Sequence, residues 1–254
     1  MKIYKGIDIS LYQGTPDFGR VKKSGIDFVM IKSSQGKTPN VSSTPFIDPC
    51  FHQNVMNLAH TKGKIYGGAY HYLTSQTIEE AKQEAQFFID TIKRYKYNLQ
   101  LWKVIDVEIP NVTADRKTFT EIIKTFCDML KNADFQPMIY TQKWYINAYF
   151  DVPNGTPLWI CDINTSKFPE GAKMWQCGTG IVAGIDGEVD INYAIDIMGD
   201  VNNDGKINNK DVTLMMKHII NPSKYPINET QGDFNRDGKI TASDVVDLMR
   251  AISV

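Results

Sequence analysis

The end of the chain carries the same acidic loop pattern twice. The copies occupy Asp200–Asp211 and Asp233–Asp244, offset by 33 residues, and both read D-x-N-x-D-G-K-I-x-x-x-D. A pattern repeated at a fixed offset indicates a duplicated structural unit, whose copies pack together because neither can bury its apolar face alone. The repeat therefore predicts a small all-α tail over residues 199–254 and a separate domain over residues 1–198.

Each copy places oxygen donors at the spacing that calcium requires. Ca²⁺ takes about six to eight oxygen ligands, and a tight loop supplies them from positions 1, 3, 5, 7 and 12, with glycine at position 6. The pattern therefore predicts two structural Ca²⁺ ions. The alternative, two Asx-rich turns that bind no metal, is disfavoured because a duplicated loop of this kind rarely arises by chance. The predicted ligands are Asp200, Asn202, Asp204, the Lys206 carbonyl and Asp211, then Asp233, Asn235, Asp237, the Lys239 carbonyl and Asp244.

Apolar residues recur at helical spacing after each loop, which predicts two exiting helices. Gly199 and Gly232 precede the first ligands, so no helix is expected to enter either loop. Position 12 is Asp, where an EF-hand usually has Glu. Two loop–helix units with these features resemble a dockerin. The resemblance implies that the partner is a cohesin module of a scaffoldin, selected in part by Asn209, Lys210, Ala242 and Ser243 at loop positions 10 and 11.

The larger domain consists of short apolar segments separated by helical or loop stretches. Amphipathic helices are predicted over residues 78–93 and 116–132. Strand–helix alternation gives way to strands with short links, which predicts an α/β fold: an eight-stranded barrel with a degenerate last third. The candidate strands are 6–10, 27–33, 64–72, 101–108, 135–141, 157–161, 172–176 and 188–191.

Charge and hydropathy exclude several functions. The formal net charge of −1 argues against nucleic acid and against a polybasic membrane contact. No apolar run approaches the ~20 residues of a membrane span. The N-terminus has no signal-peptide core, so either a removed leader or another export route is expected. Four widely spaced cysteines predict isolated buried thiols, with a Cys161–Cys177 bridge as the alternative.

Acidic side chains lie where the predicted strands end, which is where a barrel of this kind carries its chemistry. They are Asp8, Asp106, Glu108 and Asp190. Asp106 and Glu108 are two apart on one strand, so their side chains face the same way with Cα atoms ~6.6 Å apart. Paired carboxylates are the groups that hydrolyse glycosides. Nearby aromatic residues are candidate sugar-binding platforms or core packing: Tyr12, Tyr70, Tyr72, Tyr140, Trp159 and Trp175.

Several segments together resemble glycoside hydrolase family 25, the N-acetylmuramidases or lysozymes. They occur in family order across nearly all of residues 1–198: Gly6–Ser10, Phe28–Lys32, Ala69–Tyr72, Ile105–Glu108, Ile139–Thr141, Leu158–Ile160, Met174–Gln176 and Gly184–Asn192. The resemblance implies a modified (β/α) barrel and catalysis without a cofactor. Glu108 matches the family's general acid. Asp106 matches the carboxylate that steers the substrate's 2-acetamido group or stabilises an oxocarbenium ion, and Asp8 and Asp190 match the two remaining pocket acids.

These features lead us to expect an extracellular muramidase that is attached to a scaffold through its tail. Its substrate would be peptidoglycan, cut at the β-1,4 bond between N-acetylmuramic acid and N-acetylglucosamine. One alternative is a hydrolase of chitin-like N-acetylglucosamine polymers, which the absence of a D-x-x-D-x-D-x-E run disfavours. The other is a catalytically silent barrel that binds peptidoglycan as an assembly subunit, which the four intact acids disfavour.

Overall fold

The computed structural model describes residues 3–38, 41–61, 65–95, 98–146, 148–195, 199–202, 207–234 and 239–252. Strands and helices alternate through the first part of the chain, as the sequence pattern predicts. In chain order the elements are β1 (Tyr4–Ile9), α1 (Phe18–Lys23), β2 (Phe28–Gln35), β3 (Phe46–Ile47), α2 (Phe51–Ala59), β4 (Tyr66–Tyr72), α3 (Ile78–Ile92), β5 (Lys103–Asp106), α4 (Arg116–Asn132), β6 (Pro137–Gln142), β7 (Leu158–Cys161), β8 (Ala172–Ile181), β9 (Glu188–Ala194), α5 (Asn209–Ile220), α6 (Glu229–Gly232) and α7 (Ala242–Ile252).

Eight of these strands close into a barrel, because β1 pairs with both β2 and β9. The pairs from β1 through β2, β4, β5, β6 and β7 to β8 are parallel. Strand β9 is antiparallel to both of its neighbours. The link from β8 to β9 is too short for a helical crossover, which needs about a dozen residues, so the chain must turn back. The predicted barrel with a degenerate last third is confirmed.

Alternation along the strands sorts the side chains into two apolar layers. Ile7 on β1 and Val29 on β2 point outward and pack under the helices. Phe28 and Met30 on β2 point into the barrel interior. Gly6 is required beside them, since a Cβ at this position would lie 2.3 Å from the Phe28 ring. By the same alternation, polar side chains at the inward-facing strand positions lie inside the barrel.

The longer helices of the barrel were predicted from sequence, and the shorter ones were not. α3 and α4 match their predicted spans, and each begins at a capping side chain: Thr77 accepts from the Glu80 N–H, and Asp115 accepts from the Thr118 N–H. α1 and α2 were not predicted. They are short, with six and nine residues, and a periodic pattern needs a window of about 11 residues to be recognised.

The tail contains the two predicted helices, α5 and α7, which pack against each other. The expectation that no helix enters either loop was wrong for the second loop, because α6 precedes it. Gly232 does not prevent this single turn. Its N–H donates to the Asn228 carbonyl at 3.0 Å, so the glycine ends the turn. The boundary at residue 198 stays a prediction, since residues 196–198 lie outside the described part of the chain.

Two predictions about the whole chain can be compared with the described residues. Within these ranges, no helix is both long and apolar enough to cross a membrane. All four cysteines are free thiols. The prediction of isolated thiols is therefore confirmed, and the alternative Cys161–Cys177 bridge is wrong. The prediction that the thiols are buried holds only for Cys127, since the other three are partly exposed.

Candidate active site

Four carboxylates meet at the rim of the barrel, which we define as the end formed by the C-terminal ends of its parallel strands. Asp8 lies near the end of β1, and Asp106 ends β5. The prediction that Glu108 shares this strand was wrong, because β5 ends at Asp106 and Glu108 follows two residues later. Because β9 is reversed, Asp190 near its start reaches the same rim. Asp8 and Asp190 are direct partners across β1 and β9, which places their Cα atoms ~4.5–5.5 Å apart with side chains on one face.

Asp8 is held in a buried, hydrogen-bonded position. Its side chain is 9% exposed, and its Oδ2 accepts the Asn192 Nδ2–H at 2.7 Å and the Gln176 Nε2–H at 3.2 Å. Burial, followed by the charge of Asp190, raises the pKa of Asp8 to about 7, although the two amide donors favour the ionised form. Asp8 is therefore an acid that titrates near neutral pH.

Asp106 lies deeper than its neighbour Glu108. Burial, followed by the charge of Glu108, holds the pKa of Asp106 well above its usual range, and Lys32 on β2 opposes this shift. Its Oδ1 is buried and accepts no hydrogen bond from any described residue. Lys32 is itself partly buried, and burial lowers the pKa of its amine while Asp106 and Glu108 raise it. The buried Oδ1 can therefore accept a donor that enters the pocket.

Glu108 is half-buried and reaches the open side of the rim. Burial raises the pKa of Glu108, while a hydrogen bond from Gln142 and the charge of Lys32 lower it. Gln142 in turn accepts the indole N–H of Trp144 on its Oε1, so its NH₂ group is directed toward Glu108. Trp144 is 61% exposed, which leaves its ring open to solvent beside the acid.

The same arrangement of aromatic donor, amide and carboxylate recurs on the opposite side of the rim. The Tyr140 hydroxyl donates to Gln176 Oε1 at 2.7 Å, and the Trp159 indole donates to Asn192 Oδ1 at 2.9 Å. Each aromatic donor occupies the amide oxygen, so the amide nitrogen is turned toward Asp8. The aromatic residues thereby fix the orientation of the groups that bind the acid.

The six aromatic residues predicted to bind substrate fall into different environments. Tyr12 is 83% exposed, whereas Trp159 is 2% exposed. The placement of Tyr140 and Trp159 beneath the rim favours a supporting role over a sugar contact. A sugar contact stays a prediction for the other four, which are Tyr12, the half-buried Tyr70 and Tyr72, and Trp175, whose indole donates to the Asp162 carbonyl.

Sequence reasoning missed the polar residues that support the acids. They are Gln142, Trp144, Gln176 and Asn192. Three of them are polar side chains at inward-facing positions of otherwise apolar strands, and such positions are costly to fill without a partner. That signal could have identified them once the inward face of each strand was assigned.

The loops of the tail retain buried carboxylates at the predicted calcium positions. Asp211 and Asp244 are 0% exposed, and Asp200 is 5% exposed. Asp211 Oδ2 accepts the Asn208 N–H, and Asp244 Oδ2 accepts the Thr241 N–H. In each loop, therefore, the carboxylate at position 12 is hydrogen-bonded to the backbone at position 9. Buried hard oxygen donors of this kind fit Ca²⁺.

Only part of each predicted ligand set lies among the described residues. Asp204, Lys206, Asn235 and Asp237 lie outside them. The described residues alone contain no group of three His, Cys, Asp or Glu placed to hold a metal. The predicted recognition residues Asn209, Lys210, Ala242 and Ser243 are all exposed.

The raised pKa of Asp8 predicts a pH-dependent cost to stability. An acid whose pKa is raised on folding stabilises the fold below its unfolded pKa, and this contribution is lost as pH rises through about 7. We therefore compare the free energy of unfolding of Asp8→Asn with that of the native chain at pH 4 and at pH 8. The difference should shift in favour of the variant by up to about 4 kcal/mol as the pH rises from 4 to 8. Thermal unfolding of both proteins at the two pH values measures this. An unchanged difference in melting temperature would show that Asp8 does not titrate in this range.

Comparison with known proteins gives two family matches. Residues 7–184 match the model for glycosyl hydrolases family 25, and residues 198–253 match the dockerin type I domain. A protein named autolytic lysozyme from Clostridium acetobutylicum is 31% identical over 195 residues, covering 74% of this chain and 55% of its own length. This chain therefore spans little more than half of that relative.

Solved structures show the same barrel. The CTP1L endolysin is 28% identical with a TM-score of 0.64, covering 76% of this chain and 67% of its own. The bacterial lysozyme from Streptomyces coelicolor is 25% identical with a TM-score of 0.61, covering 74% of this chain and 90% of its own.

Proposed function

Because this chain belongs to the glycosyl hydrolases of family 25, whose model matches residues 7–184, we propose that it is a peptidoglycan-cleaving muramidase. The bond cut is the β-1,4 linkage between N-acetylmuramic acid and N-acetylglucosamine. One observation carries the proposal: Asp106 and Glu108 lie side by side at the rim, one buried with an oxygen available to a ligand, the other facing solvent with a raised pKa. The similarity to a protein named autolytic lysozyme supports it.

Glu108 acts as the general acid in this proposal. Its raised pKa keeps a larger fraction of the side chain protonated near neutral pH than an ordinary glutamate would have. Gln142 holds the carboxyl group in place through a hydrogen bond, and Trp144 holds Gln142. The proton is delivered to the oxygen of the leaving sugar as the glycosidic bond breaks.

Asp106 acts on the sugar that keeps the anomeric carbon. Its buried Oδ1 accepts the N–H of the 2-acetamido group, which turns the acetamido oxygen toward the anomeric carbon. That oxygen can then stabilise the positive charge that develops there. Water then attacks the anomeric carbon, the bond to the acetamido oxygen breaks, and the deprotonated Glu108 takes the proton of the water. The negative charges of Asp8 and Asp190 help to raise the pKa of Asp106 and of Glu108, respectively. The positive charge of Lys32 opposes both shifts. The carboxyl groups of the chain and the acetamido group of the substrate supply this chemistry, so no cofactor is needed for catalysis.

The test is hydrolysis of purified Gram-positive cell walls. We expect loss of turbidity and new reducing ends. After borohydride reduction, mass spectrometry should find the reduced sugar to be N-acetylmuramic acid. Reduced N-acetylglucosamine from walls, or faster cleavage of chitin oligomers, would support the chitin-like alternative. Wall binding without new reducing ends would support the silent subunit.

Calcium is proposed to order the tail as two structural ions, because a unit this small has too little apolar core to fold by itself. Adding a chelator in excess should remove helical signal from α5 and α7 and leave that of the barrel helices. Far-ultraviolet circular dichroism before and after chelation measures this, with excess Mg²⁺ in place of Ca²⁺ as the control. An unchanged spectrum would contradict a structural role for calcium.

The proposed partner is a cohesin module of a scaffoldin, which would hold the enzyme outside the cell. The recognition positions are exposed, and so are five large apolar side chains on the two main tail helices, Met216, Ile219, Ile220, Val246 and Met249. The apolar side chains supply contact area, and the recognition positions supply selectivity.

The two copies differ at the recognition positions, so we expect one copy to dominate binding. In the first variant, Asn209→Ala and Lys210→Ser give loop one the residues of loop two. In the second variant, Ala242→Asn and Ser243→Lys do the reverse. One variant should weaken binding to a captured cohesin by about tenfold, since lost interface contacts cost roughly 1–2 kcal/mol, and the other by less than about twofold. Equal effects, measured by calorimetry, would indicate that both copies bind equivalently.

A further inference from the structure

The first loop of the tail lies against the floor of the barrel, which is the end opposite the rim. Tyr4 begins β1 and Tyr66 begins β4, and both strands end at the acidic rim. The Tyr4 hydroxyl donates to Asp200 Oδ2 at 3.2 Å. The Tyr66 side chain hydrogen-bonds the backbone of Ile207. The barrel therefore touches the first and the eighth positions of the first predicted calcium loop.

Apolar contacts extend the same interface. Phe28 at the start of β2, and Leu101 and Trp102 just before β5, form one continuous buried cluster with residues of the tail. The tail residues in this cluster include Val201 and Ile207, which flank the central part of the first loop and are 1% and 8% exposed. Burial of apolar area at this junction means that the tail is packed onto the barrel as well as joined to it by the chain.

We propose that Tyr4 and Tyr66 are positioning residues for the first calcium site, and that calcium bound there stabilises the barrel together with the tail. The proposal rests on calcium binding by the tail and does not depend on the hydrolytic function. A hydrogen bond to one oxygen of a ligand carboxylate fixes its direction and tunes the metal site. Conversely, a loop held in shape by its ion keeps Asp200 and Ile207 where the two tyrosines can reach them.

The physical reason for the coupling is linkage. A ligand that binds only the folded state stabilises every element that folds together with its site. If the first loop and the barrel floor form one cooperative unit, calcium raises the unfolding temperature of the barrel. If they fold independently, calcium affects the tail alone.

The distribution of tryptophan makes the two cases separable in the full-length chain. All four tryptophans, Trp102, Trp144, Trp159 and Trp175, lie in residues 1–198, and the tail has none. Because Trp102 borders the tail, it is replaced by phenylalanine in every protein of this test. The thermal midpoint of the remaining tryptophan fluorescence then follows unfolding of the barrel. We expect it to rise by roughly 5–10 °C between excess chelator and calcium at about 100-fold above Kd.

Tyr4→Phe and Tyr66→Phe test the contacts, because each removes one hydroxyl and leaves the ring. Each should reduce the calcium-induced rise by at least half, and calorimetry should show about tenfold weaker binding at one of the two calcium sites. Tyr95→Phe is the matched control. The Tyr95 hydroxyl lies 3.0 Å from His52 Nδ1 within the barrel, so its loss should lower the midpoint equally with and without calcium.

Each outcome decides the proposal. Two calcium ions bound with no change in the tryptophan midpoint would overturn it and leave the structural role of calcium in the tail intact. A full rise in both tyrosine variants would show that these contacts do not carry the coupling. A full-length chain that binds no calcium would overturn the calcium role and this inference together. If Tyr4→Phe does not fold, Tyr66→Phe makes the same test, because its ring is only partly buried.

Discussion

Replacing Glu108 with glutamine is expected to lower the rate of peptidoglycan hydrolysis by roughly 10²–10⁴-fold, the usual contribution of a general acid. Glutamine has nearly the same shape and can keep a hydrogen bond to Gln142, but it has no proton to give to the leaving oxygen. The fold should be unchanged. Release of reducing ends from purified walls, measured as kcat and KM separately, is the readout, and the loss should fall on kcat.

The matched control is Glu121→Gln. Glu121 is exposed on α4 and is not among the charges that shift the pKa of Asp8, Asp106 or Glu108, so the same chemical change should leave the rate within about twofold. A Glu108→Gln variant that retained more than about a tenth of the native rate would remove Glu108 from the role of acid. Asp190 at the same rim would then be the next candidate to replace.

Replacing Glu84 with alanine is expected to destabilise the barrel by about 3–5 kcal/mol, because several buried polar groups lose their hydrogen-bond partner at roughly 1–3 kcal/mol each. Glu84 on α3 is 2% exposed, and its Oε2 lies 2.9 Å from His71 Nε2. Its two oxygens also accept the backbone N–H and the hydroxyl of Thr74. Alanine leaves the buried His71 and the partly buried Thr74 without these partners. Denaturant unfolding followed by tryptophan fluorescence measures the loss.

Glu79→Ala on the same helix controls for the change in helix composition. Its side chain is 71% exposed and pairs with Lys82, so its loss should cost less than about 1 kcal/mol. Equal destabilisation by both variants would mean that the buried network contributes nothing beyond the helix itself. Ser34, His71 and Glu84 are the residue types of a nucleophilic triad, but Ser34 and His71 are 0% exposed. The network therefore serves the fold and not the chemistry.

Local sequence patterns predicted the acids more completely than their surroundings. Asp106 and Glu108 could be found because they are two apart in an apolar segment, a spacing that would place both on one face of a continuous strand. In the structure β5 ends at Asp106, so the position of Glu108 is set by the segment that follows the strand. Gln176 and Asn192 lie in recognised segments, but nothing local indicates that they donate to Asp8. These two hydrogen bonds join residues that are separated by 168 and 184 positions in the sequence, and they form only when the barrel closes.

The sequence by itself determined the features that are set by near neighbours: the two loop–helix repeats, the order of the strands along the chain and the strand-end acids. The calcium ligands stay a prediction from the same local spacing. Tertiary structure decided the features that depend on closure. The reversal of β9 brings Asp190 beside Asp8, and three aromatic donors orient the amides at the rim. The contact from Tyr4 to Asp200 spans 196 residues. Such contacts are set by which strand ends share one end of the barrel, and no periodicity within a segment encodes that arrangement.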